Sequence, residues 1–120
     1  MPSRPVLVFD GDCGFCTWSA GLVDEWAQGR VEIVPWQRAE LALLGLTTKE
    51  CAQAVQFVER GAHWGGAEAI AHALVHCRVP GPTVGRFLMR PSMAPLAERA
   101  YKLVAANRHL LPGATPACAV

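Results

Sequence analysis

The sequence lacks any uninterrupted apolar run near the roughly 18 residues that a membrane-spanning helix needs. Its first apolar stretch, Val6 to Phe9, stops at Asp10 with no cleavage-site pattern behind it. Neither a membrane span nor a secretory leader is expected. Net charge is also nearly missing: eleven Lys+Arg oppose ten Asp+Glu, which leaves +1 and no general electrostatic reason for a nucleic-acid or membrane partner. Acidic residues are scarcest after residue 78, where Glu98 alone stands against Arg86, Arg90, Arg99, Lys102 and Arg108. Those basic residues are scattered rather than clustered, and they read as a solvated helical surface. Repeats and low-complexity segments are absent as well.

A disulfide framework is excluded too, because five cysteines are an odd number and only Cys13 and Cys16 are close in sequence. The expectation is a reducing, cytoplasmic compartment and one special pair. What the chain does have is an apolar majority: 52% apolar and 18% charged residues over 120 positions suit one ordinary domain, residues 1–120, with a sizeable core.

Val6 to Phe9, flanked by Pro5 and an Asp-Gly-Asp turn, reads as a strand buried on both faces and central in its sheet. A helix follows from Cys13, with Phe15, Trp18, Leu22 and Trp26 at helical spacing and Cys16, Ala20, Val23 and Ala27 alongside, stopped near Gly29 and capped by Asp12. Val31 to Trp36 resumes strand alternation, so the opening has β-α-β order and favours a right-handed parallel crossover. Short helices are expected over 40–44 and 48–53, the second capped by Thr47 or Thr48. A hairpin then turns at Arg60-Gly61 between 54–59 and 62–64. The Ala67, Ile70, Ala71, Leu74, Val75 stripe predicts a helix that stops before the loop 79–82. A last helix, about 95–107, has Leu96, Ala100, Leu103 and Val104 as its inner face, and a loose tail follows from Pro112.

The chemistry concentrates in Phe9 to Cys16, which puts a CxxC pair where a buried strand meets a helix N-terminus. Thiolate is the reactive form of cysteine, and the first-turn N–H groups with the helix dipole stabilise negative charge there. Cys13 is the natural nucleophile. Cys16, one turn on, can attack a mixed disulfide formed at Cys13, releasing the partner and leaving a Cys13–Cys16 disulfide. Asp10, at the strand end, is the candidate proton acceptor for the resolving cysteine, and Asp12 completes the acidic pair beside the thiols.

These residues resemble the DCC family of thiol-disulfide oxidoreductases, named for its Asp-Cys-x-x-Cys motif and regarded as thioredoxin-like. Besides Asp10 to Cys16, Ala69-Ile70 is similar to the family's helix start, and Tyr101 to Arg108 (YKLVAANR) is similar to its C-terminal Tyr-x-x-Val-Ala-x-Asn-Arg. The resemblance spans nearly the whole chain. It implies an α/β, thioredoxin-like fold with a central mixed β-sheet flanked by helices and a helical C-terminal extension, together with Cys13/Cys16 exchange. Partners would be a protein or small-molecule thiol or disulfide and a cellular thiol reductant, with no cofactor. Two departures stand out: Ala67 replaces a common serine, and no proline precedes Ala54, where thioredoxins carry one, usually in a cis peptide. Substrate docking is therefore expected to differ from that of thioredoxins.

Rival chemistries have weaker support. A strand ending Asp10-x-Asp12 also resembles the nucleophile loop of haloacid-dehalogenase-like phosphatases, but Gly14 stands where Thr or Val is expected. A CxxC metal site lacks its second ligand pair. Glu68, His72 and His76 share a helix face, which reads as a solvated polar face opposite the apolar stripe. The remaining rival is a redox-sensing or partner-binding domain with an inherited CxxC. Trp18, Trp26, Trp36 and Trp64 are read as core, Arg108 as favouring a helix C-terminus, and Cys118 as a flexible thiol.

Overall fold

The alternating side chains of the first strand both find cores, which fixes the architecture around it. A computed structural model describes residues 4–78 and 81–107. Its elements are β1 (Val6–Phe9), α1 (Gly14–Ala27), β2 (Glu32–Pro35), α2 (Leu41–Leu44), α3 (Thr48–Gln53), β3 (Gln56–Glu59), β4 (Ala62–Gly65), α4 (Ala67–Val75), α5 (Gly81–Leu88) and α6 (Ala94–Ala106). Arg108, Cys118 and the tail from Pro112 lie outside the described residues, as do positions 79 and 80.

The four strands form one mixed sheet in the order β2-β1-β3-β4. β1 pairs parallel with β2 through the α1 crossover and antiparallel with β3, and β3 and β4 form the hairpin. Leu7 points into a core with Ala27, Val31, Phe57, Ala69, Ala73 and Leu74. Val6 and Val8 point the other way, onto Leu46, Cys51 and Val58. Two apolar layers on a central strand explain why its sequence shows no polar face. This is the thioredoxin-like arrangement that the sequence led one to expect.

Local chemistry sets most boundaries. Thr47 Oγ1 accepts from the Glu50 N–H at 3.1 Å while Glu50 Oε1 accepts from the Thr47 N–H at 3.0 Å, a reciprocal cap that starts α3. At the hairpin, Arg60 and Gly61 both have positive φ, 51° and 84°, as a turn matched to strand twist requires. Arginine is poorly suited to that conformation. Arg60→Asn is expected to raise stability by roughly 0.5–1 kcal/mol, read as a higher urea midpoint with an unchanged slope.

Three expectations about helices need correction. In α1, Trp18 and Leu22 are about half exposed while Ala20 and Ala27 are buried; the small-residue stripe faces inward because it lets the helix lie close to the sheet, so Trp18 is not core. In α6, Leu96 and Leu103 of the expected inner face are exposed, whereas Ala100 and Val104 line a cavity described below. The helix turns Glu98 and Tyr101 inward instead: Glu98 Oε2 accepts from the Ala67 N–H at 3.2 Å, and Tyr101 Oη accepts from the Val55 N–H at 3.1 Å. Two backbone donors that need partners thus decide its rotation. The loop expected through Pro82 is in fact the start of α5, which accommodates Pro82 in its first turn.

α5 sits so close to α4 that its glycines face that helix's backbone. A Cβ at Gly85 would stand 2.5 Å from the Ala71 carbonyl oxygen, and one at Gly81 would stand 2.7 Å from that of Leu74. These glycines serve close approach rather than turns.

Candidate functional site

The site begins where β1 ends. Asp10 Oδ1 accepts from the Asp12 N–H at 3.0 Å, a tight side-chain turn that brings the chain round to α1. This moves Asp12 out of the capping position expected for it. Cys13 is itself the N-cap of α1, extended at φ −91° and ψ 116°, with no side-chain cap hydrogen bond. Its carbonyl accepts from both the Thr17 N–H at 2.9 Å and Thr17 Oγ1 at 3.0 Å, which anchors the first turn. Cys13 is thereby set at the positive end of a fourteen-residue helix.

Cys16 is one turn further on and half-buried, while Cys13 is fully buried. The other thiols, Cys51 and Cys77, are buried in the two cores, and burial pushes both upward from the ordinary cysteine range. They are poor nucleophiles.

Gln37, in the short 3-10 turn Trp36–Arg38, is the contributor that sequence reading missed. Its Nε2 donates to Asp10 Oδ1 at 2.9 Å and its Oε1 accepts from the Gly11 N–H at 2.9 Å. One amide therefore clamps both the carboxylate and the turn beside the cysteines. Gly11 has to be glycine here, because a Cβ would lie 2.7 Å from that of Pro35. Only the parallel β1–β2 register, with Phe9 opposite Pro35, brings Gln37 to this place. Gln37→Ala is expected to cost roughly 1 kcal/mol in stability and to change the pH profile of any proton transfer through Asp10, checked by denaturation and pH–rate curves.

A cavity of about 400 Å³ is lined by residues that include Asp10, Phe15, Cys16, Leu88, Ala97 and Tyr101. α6 supplies one wall of it. The structure therefore places Cys16 and Asp10 on a shared, largely apolar space and leaves Asp12 exposed outside it.

Of the Glu68, His72 and His76 face, Glu68 is solvated as expected, but the two histidines are not. His72 stacks on Trp64 with ring centroids 3.8 Å apart and lies 6.1 Å from Phe57, while His76 Nε2 is 3.1 Å from Glu59 Oε2. The hairpin's aromatic side lies against α4, so the histidines pack rather than protrude. Among the described residues, no three His, Cys, Asp or Glu side chains are grouped to hold a metal ion. Burial holds His72 below its ordinary value of 6.5, with Glu59 and Glu68 opposing. The unfolded chain then takes up this proton first, so stability is expected to fall as pH drops below 6.5. The slope should flatten in His72→Phe, measured as urea midpoint against pH.

A family model for DCC1-like thiol-disulfide oxidoreductases matches residues 7–114. The chain belongs to this family. No curated protein and no solved structure matches it at a significant level. The family match spans β1, the CxxC turn and α6 together, which are the elements that build the site and its cavity. Among the described residues, no helix is long and apolar enough to cross a membrane.

Proposed function

We propose that this chain is a single-domain thiol-disulfide oxidoreductase in which Cys13 attacks, Cys16 resolves and Asp10 takes the proton from Cys16. The observation that carries this reading is the position of Cys13: N-cap of α1, at the end of the central strand, with Cys16 one turn away. Dipole and first-turn N–H groups favour a thiolate at that place.

The exchange balances without a cofactor. Cys13 thiolate attacks a substrate disulfide, forming a Cys13 mixed disulfide and expelling one thiolate, which takes up a proton. Cys16 gives its proton to Asp10 and attacks the Cys13 sulfur; the Cys13–Cys16 bond forms, and the second substrate thiol leaves carrying that proton. Two electrons pass to the substrate, and a cellular thiol reductant, in a reducing compartment such as the cytoplasm, restores the pair. Asp10 suits its part because Gln37 holds its carboxylate and it lines the same cavity as Cys16.

The test is mass spectrometry of the purified protein across a glutathione series. A reversible loss of two hydrogens, assigned to Cys13 and Cys16 by peptide mapping, is the expected result. A pair that stays reduced throughout would leave a partner-binding domain as the better account.

A further inference from the structure

The cavity beside Cys16 is built for a substrate of a particular kind. Its volume is about 400 Å³, within the range of small-molecule sites and well beyond the roughly 150 Å³ that suffices for a benzene ring. Leu7, Phe15, Val23, Ile70, Leu88 and Val104 make walls of hydrocarbon, and the polar lining includes Asp10 and Cys16 at the strand-to-helix junction. An apolar body with a sulfur at one end matches that division. A polypeptide strand has no edge of β3 to add to, since β1 and β4 flank it, and the Val55 N–H just before β3 already donates to Tyr101 Oη at 3.1 Å.

Resting on the exchange reading above, we propose that the substrate is a low-molecular-weight organic disulfide whose apolar aryl or alkyl body occupies this cavity. Its sulfurs lie beside Cys16 and within the reach of Cys13. The electron balance is that of the exchange already written: one substrate disulfide yields two thiols, and Cys13 and Cys16 close into a disulfide.

The experiment mixes fully reduced protein with dibenzyl disulfide or with the polar bis(2-hydroxyethyl) disulfide and follows Cys13–Cys16 closure by mass. Each rate is divided by that of dithiothreitol with the same disulfide, which removes intrinsic reactivity. A preference of about 30-fold for the dibenzyl compound is expected from burial of one aromatic ring, falling below about 3-fold in Ala97→Phe, which fills the cavity. Toluene, a non-reactive probe, is expected to shift the methyl resonances of Val23 and Ile70 saturably in the unaltered protein, whatever the fate of that variant. Equal corrected rates with an intact Cys13–Cys16 couple overturn the proposal and leave exchange standing. So does a protein disulfide such as insulin reacting faster than the dibenzyl compound. A protein with no reversible two-electron step overturns the exchange reading itself, by a measurement independent of either ratio.

Discussion

Replacing Cys16 by serine is expected to trap substrate rather than merely slow its turnover. The Cys16→Ser protein should gain the mass of one substrate half on Cys13 and stop there, whereas Cys13→Ser should gain nothing at that position. Both should lose at least about 10³-fold in kcat/KM, since neither cysteine completes the exchange alone. The asymmetry in mass is what distinguishes an attacking residue from a resolving one. An adduct on Cys16 in the Cys13→Ser protein, with turnover preserved, would reverse the assignment of roles. Wild-type turnover in both variants would remove exchange from the function altogether.

Gly85→Ala is expected to be among the most destabilising single-methyl additions in the chain. The new Cβ would stand 2.5 Å from the Ala71 carbonyl oxygen, 2.9 Å from Val75 Cγ2 and 3.1 Å from the Val75 nitrogen. Two of these three atoms are backbone, which cannot rotate away as a side chain can. Overpacking of this kind costs about 2–3 kcal/mol, which for a domain of this size lowers Tm by roughly 10 °C. Thermal unfolding followed by circular dichroism measures it directly. The same substitution at Gly21, where nothing lies within 4 Å of a new Cβ, should be neutral or mildly stabilising. A Gly85→Ala protein as stable as Gly21→Ala would show that α4 and α5 are not so closely packed.

Where the sequence was legible, one physical rule dominated locally. Val6 to Phe9 has to be buried on both sides, Thr47 with Glu50 forms a cap, and Arg60-Gly61 can hardly be other than a tight hairpin turn. The CxxC pair was legible for the same reason, since its meaning depends only on the strand before it and the helix after it. Gln37 was not legible, because its role depends on the register between β1 and β2 and not on its neighbours. α5 was misread because glycine serves turns and close helix contacts alike, and only the presence of Ala71 opposite Gly85 separates the two. The rotation of α6 was legible only in part: Ala100 and Val104 line the cavity, but Leu96 and Leu103 are exposed. Glu98 and Tyr101 face inward to satisfy the N–H groups of Ala67 and Val55, which no periodicity reveals.

The pairing of β1 with both β2 and β3 has a consequence for synthesis on the ribosome. Val6 meets Glu32 on one edge and Val58 on the other, so the first half of the chain can build the parallel unit while one side of β1 still waits for a partner. Until the hairpin has emerged, that edge and the valines on its open face are presented to whatever strand is nearest. A chain truncated after β2 should for that reason precipitate, and one that includes the hairpin should remain in solution.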